Sequence, residues 1–145
     1  MKDLLYLKDE QLKDLIEKLF IVYRDTFTDP KKILNKYSIG TAHHKVIHLI
    51  STYEGISISE LLKKLKITKQ SLNRVLKDLT KLDIIKFEKD EQDTRIKHVY
   101  LNEKGEKIFL EIFETQKKRI YKALLNSSSD EVVNFDKVLK KIING

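Results

Sequence analysis

The sequence predicts a mainly α fold carrying one small β-hairpin, and three observations support that expectation. Apolar residues recur at three- and four-residue steps through most of the 145 positions, which is the period of amphipathic helices. A single Pro and four Gly leave too few turn residues for a sandwich or barrel. The period changes only after Leu82, where Ile85 with Phe87, and then Val99 with Leu101, alternate with polar neighbours as strand residues do. With 41% hydrophobic and 35% charged residues, the chain fits one soluble domain spanning 1–145.

In order, the first helix should run from about Lys8 to Phe27, on a stripe of Leu12, Leu15, Ile16, Leu19, Phe20 and Tyr23. Asp29-Pro30 ends or restarts it, and a short helix follows through Ile33 and Leu34. Ser38-Ile39-Gly40-Thr41 is a break whose threonine can cap the next helix, Ala42 to about Tyr53. That helix should bury Ala42, Val46, Leu49, Ile50 and Tyr53 and stop at Glu54-Gly55. Ser57 and Glu60 have the capping-box spacing, which starts a third helix reaching about Leu65. The turn Lys66-Ile67 leads into a fourth, and Thr68 is its natural N-cap. The polar stretch KDEQDTRI, residues 89–96, separates the two strands of the hairpin. Asn102 then caps a long helix bearing Ile108, Phe109, Ile112, Phe113, Ile120, Tyr121, Leu124 and Leu125. Ser128 and Glu131 cap the last helix, which bears Val132, Phe135, Leu139 and Ile142. A small core cannot cover all of that apolar surface, so a second copy of the chain is expected to do so.

The helix from Ile67 to Leu82 organises the rest. At about 100° per residue, Leu72, Val75, Leu76, Leu79 and Leu82 gather on one side, and Gln70, Arg74, Lys77 and Lys81 line the other. Lysines at this spacing also occur on ordinary solvated helices. Here, however, Gln can pair bidentately with adenine and Arg with guanine, and Ser71 and Asn73 add short donors and acceptors beside them. Residues 57–82 hold seven Lys or Arg against two acids, a net +5 out of the chain's +7. Two short helices joined by a tight turn, the second basic on its outer face and followed by a hairpin, make a winged helix-turn-helix. The surface expected to meet double-stranded DNA is Ser57, Thr68, Lys69, Gln70, Ser71, Asn73, Arg74, Lys77 and Lys81, with Arg95 and Lys97 from the wing.

Other classes find little support. The chain has no phosphate-binding Gly loop, no HExxH and no hydrolase-like Ser/His/Asp spacing, so no enzyme, catalytic residue or cofactor is expected. It has no Cys, which removes thiolate metal sites and thiol-based switching. No apolar run reaches membrane-span length, and MKDLLYLKDE is too acidic for a signal peptide, so a cytoplasmic protein without a membrane partner is expected. The alternative to a DNA-binding regulator is a winged-helix protein-interaction module, against which stands the alignment of cations at 69, 74, 77, 81 and 95.

The stretch ISISELLKKLKITKQSLNRVLKDLTKLDII followed by DTRIKHVYLNEKG resembles the MarR family of transcription regulators over nearly the whole chain. The more specific signals are Asp93-x-Arg95 at the wing tip and Leu101-Asn102-x-x-Gly105 at the start of the long helix. GTAHHKVIHLI together with ITKQSLNRVL looks like the PetP-like subgroup. Leu62 stands where the family usually has Ala, and Asp83 where it usually has Gly. The resemblance implies a homodimer joined through residues 1–37 and 102–145, with 38–101 as the winged helix-turn-helix. It also implies a near-palindromic site and a small-molecule effector bound between the dimer helices and the DNA-binding part. Candidate effector ligands are His43, His44, His48, Tyr23 and Tyr37. His44 and His48 are expected opposite the core-facing stripe, where they could bind an anionic or quinone-like ligand, share a metal ion, titrate, or simply pack.

Overall fold

The computed structural model describes residues 4–145, in the order α1 (Asp9–Thr28), α2 (Lys31–Lys36), α3 (Thr41–Thr52), β1 (Ile56–Ser57), α4 (Ile58–Leu65), α5 (Lys69–Lys81), β2 (Ile85–Lys89), β3 (Lys97–Leu101), α6 (Glu103–Leu125) and α7 (Ser129–Asn144). A 3-10 turn, Leu5–Leu7, precedes α1. The expected mainly α fold with a small hairpin is what forms. The sheet has one strand more than expected, because β1 adds to β3 and gives the order β1-β3-β2. All pairs are antiparallel, with Ile56 opposite Val99 and Ile85 opposite Leu101. Two residues are too short to show an alternation, which is why β1 left no periodic signal.

Caps set most helix boundaries. Ser57 accepts from the Glu60 N–H at 3.1 Å and Glu60 reaches back to the Ser57 N–H, while Ser128 and Glu131 repeat the arrangement for α7. Asn102 caps α6 by accepting from the Gly105 N–H at 2.8 Å. Helix α3 departs from expectation: Gly40 is its N-cap, and His43 Nδ1 rather than Thr41 accepts the Gly40 N–H at 3.0 Å.

One core joins α3, α4, α5, the sheet and the first half of α6, built on Ile47, Ile50, Leu61, Leu72, Leu79, Ile84, Val99 and Ile112. Beyond Gln116, no residue of α6 is buried, and α1 and α7 bury none at all. The α1 stripe shows the consequence, since Leu12, Leu15, Ile16, Leu19, Phe20 and Tyr23 are 38–63% exposed. Helix α3 also corrects its expected stripe, burying His44, Val46, Ile47 and Ile50 while Ala42 and Tyr53 stay exposed. It is packed by α5 and β3 on one side and by α6 on another, so the buried arc is rotated toward Ile47 and widened to about 160° at about 100° per residue.

His44 therefore lies inside the protein, fully buried beside the Phe27 ring. The Gln116 side chain lies alongside it, yet among the described residues neither ring nitrogen has a partner in hydrogen-bonding geometry. Burial first, and the neighbouring His48 second, push its pKa down from 6.5 to about 4. Such an imidazole takes up a proton on unfolding, so its stabilising effect is complete above 6.5 and is lost as pH falls toward 4. We predict that thermal unfolding shows a stability loss on the order of 2 to 3 kcal/mol across that window. His44→Leu should remove most of that slope, and equal slopes in both proteins would contradict a buried neutral imidazole.

Candidate nucleic-acid interface

The helix-turn-helix is made by a backbone feature that only part of the sequence signals. Lys66 ends α4 in the left-handed region at φ 52°, and Thr68 restarts the chain as the N-cap of α5, accepting from the Ser71 N–H at 3.1 Å. The Thr68 hydroxyl donates to Ser71 Oγ at 2.9 Å, which leaves the Ser71 hydroxyl hydrogen as the outward donor. Both hydroxyls sit at the exposed N-terminus of α5, as expected. Ser57 does not belong with them. It is buried, pairs within the sheet, and its hydroxyl donates to Glu60 at 3.0 Å, so its polar atoms are already committed.

On α5, Leu72, Val75, Leu76 and Leu79 are buried, while Lys69, Gln70, Asn73, Arg74, Lys77 and Lys81 are all exposed. The only acid on this helix, Asp78, turns toward α3, where His43 Nε2 donates to it at 2.9 Å. Among the described residues no ion pair neutralises Lys69, Arg74, Lys77 or Lys81. Between α5 and the wing runs a cleft of about 370 Å³, with Ile58, Leu76 and Phe87 on its floor and Asn73, Lys77, Lys81 and Lys97 around it. Lys97 Nζ stands 5.8 Å over the Phe87 ring, which holds the amine at this rim.

At the wing tip Asp93 aims Arg95. Its Oδ1 accepts from Arg95 N–H and Nε, each at 3.0 Å, and its Oδ2 accepts from Nη2 at 3.1 Å. The Arg95 side chain is still 89% exposed, so the ion pair orients it without covering it. This bidentate contact holds the Asp93 carboxyl below the usual carboxylate range.

Contacts at the last turn of α5 and just beyond it fix its position. His43 accepts from Gly40 through Nδ1, which leaves the hydrogen on Nε2 for Asp78. Beyond the helix, Asp83 takes φ 58°, the left-handed conformation in which the family's usual Gly would be unstrained. Asn102 Nδ2 donates to the Asp83 carbonyl at 2.7 Å, and Lys104 donates to the Leu82 carbonyl at 2.8 Å. A Cβ at Gly105 would meet the Ile84 carbonyl oxygen at 2.1 Å, so only glycine lets α6 approach this closely. Spacing showed Asn102 and Gly105 as the start of a helix. It could not show that they grip the end of α5.

The expected effector residues do not come together as a set. A cleft of about 630 Å³ lies between α1, α3, α4 and α6, with Phe27, Lys45, His48, Leu49, Phe113 and Lys117 in its lining. Of the five candidates only His48 lines it, with its ring edge-on to Phe109 at 5.8 Å. Tyr23 stands behind Lys45, whose amine is 4.8 Å above the Tyr23 ring. His44 is sealed behind Phe27 and Gln116, so it cannot join His48 on a shared ion. His43 is committed to Gly40 and Asp78, and Tyr37 donates its hydroxyl to Glu111, which also accepts from Lys36. The cations Lys45, Lys64 and Lys117 around the cleft were not anticipated; they come from three helices, and no sequence spacing relates them.

Comparison with known proteins agrees with this geometry. The sequence pattern of the MarR family matches residues 37–96. The chain is 37% identical over 141 residues to the HTH-type transcriptional regulator PetP of Rhodobacter capsulatus, covering 97% of this chain and 85% of that one. A MarR transcriptional regulator from Methanosarcina mazei superposes with a TM-score of 0.74 at 20% identity, covering 91% of this chain and 95% of that one. Streptococcus pneumoniae FabT, crystallised in complex with DNA, gives 0.73 at 20% identity over 92% and 95%. No helix of the described residues is long and apolar enough to cross a membrane. A winged helix-turn-helix held between long terminal helices, together with a relative this similar over almost its full length, places the chain in the MarR family.

Proposed function

We propose that the protein is a sequence-specific, DNA-binding transcriptional regulator that acts in the cytoplasm as a homodimer on a near-palindromic operator. The observation that carries this reading is the two-sidedness of α5. Four buried apolar residues anchor it, and every cation on its outer face is exposed and free of an ion-pair partner among the described residues. Gln70, Asn73 and Arg74 have the side chains that read base edges, with Thr68 and Ser71 at the same helix end. Lys69, Lys77, Lys81 and Lys97 suit phosphates. Arg95, held by Asp93 and projecting from the wing, suits a narrow minor groove. Residues 1–37 and 102–145 form the dimer-making part, because the exposed stripes of α1, α6 and α7 need a partner of like surface. Two α5 helices would then sit about 34 Å apart, one turn of DNA. PetP is named a transcriptional regulator and FabT was crystallised with DNA, which agrees with a regulator and not an enzyme.

The cleft between α1, α3 and α6 is the proposed effector site. Its phenylalanine walls and lysine rim suit a small aromatic anion, with His48 as a polar contact.

Two outcomes are expected. Against a duplex enriched by the protein from a random-sequence library, Arg74→Ala should cost about 1 to 3 kcal/mol in a gel shift and relax specificity. If cognate and random DNA weaken equally, Arg74 contacts phosphate instead. For the cleft, benzoate should release DNA from the wild type and do so poorly with Phe113→Ala. If benzoate leaves wild-type affinity unchanged up to about 10 mM, benzoate is not an effector at this cleft.

A further inference from the structure

The wing carries a histidine to which none of the roles above gives a task. His98 lies in β3, opposite Ser57 of β1 and Glu88 of β2. Its Nδ1 is 2.8 Å from the Gly55 carbonyl oxygen and its Nε2 is 2.9 Å from Asp90 Oδ1. Neither partner can donate, since a carbonyl and an ionised carboxylate only accept. Both contacts are hydrogen bonds at once only when both ring nitrogens carry hydrogen, that is, when His98 is an imidazolium.

The second oxygen of Asp90 continues the line. Asp90 Oδ2 accepts from the Gln92 N–H at 3.1 Å and the Asp93 N–H at 3.0 Å, and Asp93 in turn grips Arg95 through its carboxylate. An unbroken set of hydrogen bonds therefore runs from the turn after α3, through His98 and Asp90, to the guanidinium at the wing tip. Elsewhere the loop is closed by Asp90 N–H to the Ile96 carbonyl and Ile96 N–H to the Asp93 carbonyl.

We propose that His98 is a positioning residue for Arg95: in its doubly protonated form it clamps Asp90 to the body of the domain, and so makes the wing's grip on DNA depend on pH. This inference rests on the reading that Arg95 contacts DNA. The surroundings favour the cation. Asp90 and Glu91 from the loop and Glu88 from β2 line the same shallow cleft, Glu60 of α4 adds its charge, and Lys89 is the one cation among the described residues that line it. Hydrogen bonds that the ring donates to Asp90 and to the Gly55 carbonyl raise the His98 pKa above the 6.5 of a free imidazole. The sign follows: the clamp is complete at lower pH and is lost as pH rises through the raised pKa, where a neutral ring keeps one N–H for two acceptors. Loss of the clamp unties the loop from the body of the domain while the loop's own bonds remain, and the loop with Arg95 then has to be positioned at the moment of binding.

The test uses the full chain and the duplex enriched by wild-type protein. Imidazole nitrogen NMR should show His98 protonated at both nitrogens at about pH 6.5, with a midpoint above that of a free imidazole. Wild-type affinity should fall about threefold to tenfold between about pH 6 and about pH 8.5 with the same midpoint, since one pKa unit corresponds to tenfold. His98→Gln and Arg95→Ala should both lack that component of the pH dependence. Asp90→Asn, which keeps one oxygen for the Gln92 and Asp93 N–H groups but turns an uncharged NH2 donor toward His98, should move the midpoint down, and it carries the test if His98→Gln proves unstable. The proposal is overturned if His98 carries a single hydrogen near pH 6.5, or if neither variant of the pair His98 and Asp90 alters the pH profile while Arg95→Ala weakens binding. Equal binding by Arg95→Ala and wild type would instead overturn the wing's part in DNA binding, and the proposal with it; the NMR signal would show that the clamp itself had formed.

Discussion

Burial of one face of α5 is the constraint on which the rest of the molecule depends. Leu72, Val75, Leu76 and Leu79 sink into a core shared with α3, the sheet and the start of α6, and each such residue contributes about 1.5 to 3 kcal/mol relative to exposure. A helix pinned this way cannot roll, so its opposite edge always presents the same polar residues. Polar contacts at its C-terminal end refine the position further: His43 of α3 meets Asp78 in the last turn, and Asn102 and Lys104 hold the carbonyls just past it. Each of these partners sits on an element that also meets the terminal helices or the sheet. A displacement of α6 or α3 would therefore be felt at α5, which is the route that the proposed occupant of the cleft beside Phe113 and His48 would use.

The terminal helices present the reverse situation. Helices α1 and α7 bury no residue, and the second half of α6 leaves Ile120, Tyr121, Leu124 and Leu125 40–70% exposed. Apolar surface on this scale is costly in water for an isolated chain. Polar links such as Arg119 to Asp29, at 2.7 Å, tie α6 to the chain after α1 without covering that surface. Helix α6, which completes the core at Ile108 and Ile112, thus carries an open seam further along, so the proposed dimer and the stability of the domain would share one element.

Much of this was legible in the sequence, because helical periodicity and caps are local signals. Ser57 with Glu60, Thr68, Asn102, and Ser128 with Glu131 all cap where their spacing indicates. What escaped was set by contacts distant in the chain. Helix α3 is packed on two sides, so its apolar stripe alone misplaced the buried arc and left His44 outside it. Strand β1 exists because β3 offers it an edge. The five effector candidates were grouped by chemical type, and the fold scatters them: His43 to Asp78, Tyr37 to Glu111, His44 into the core. Ser57 showed both a cap and a place near the helix-turn-helix, and the cap consumed its hydroxyl. Arg95 and Asp93 joined as the Asp-x-Arg spacing suggests, because an aspartate two residues away can bond both the backbone and the side chain of its neighbour.

Two recognition helices delivered to one duplex by a pair of chains is the central claim, and light scattering of the protein with and without the enriched duplex tests it most directly. Free protein at micromolar concentration should have twice the 17.1 kDa chain mass, and the complex should add that same doubled mass to one duplex. A free mass of 17.1 kDa, or a complex holding a single chain per duplex, would contradict it.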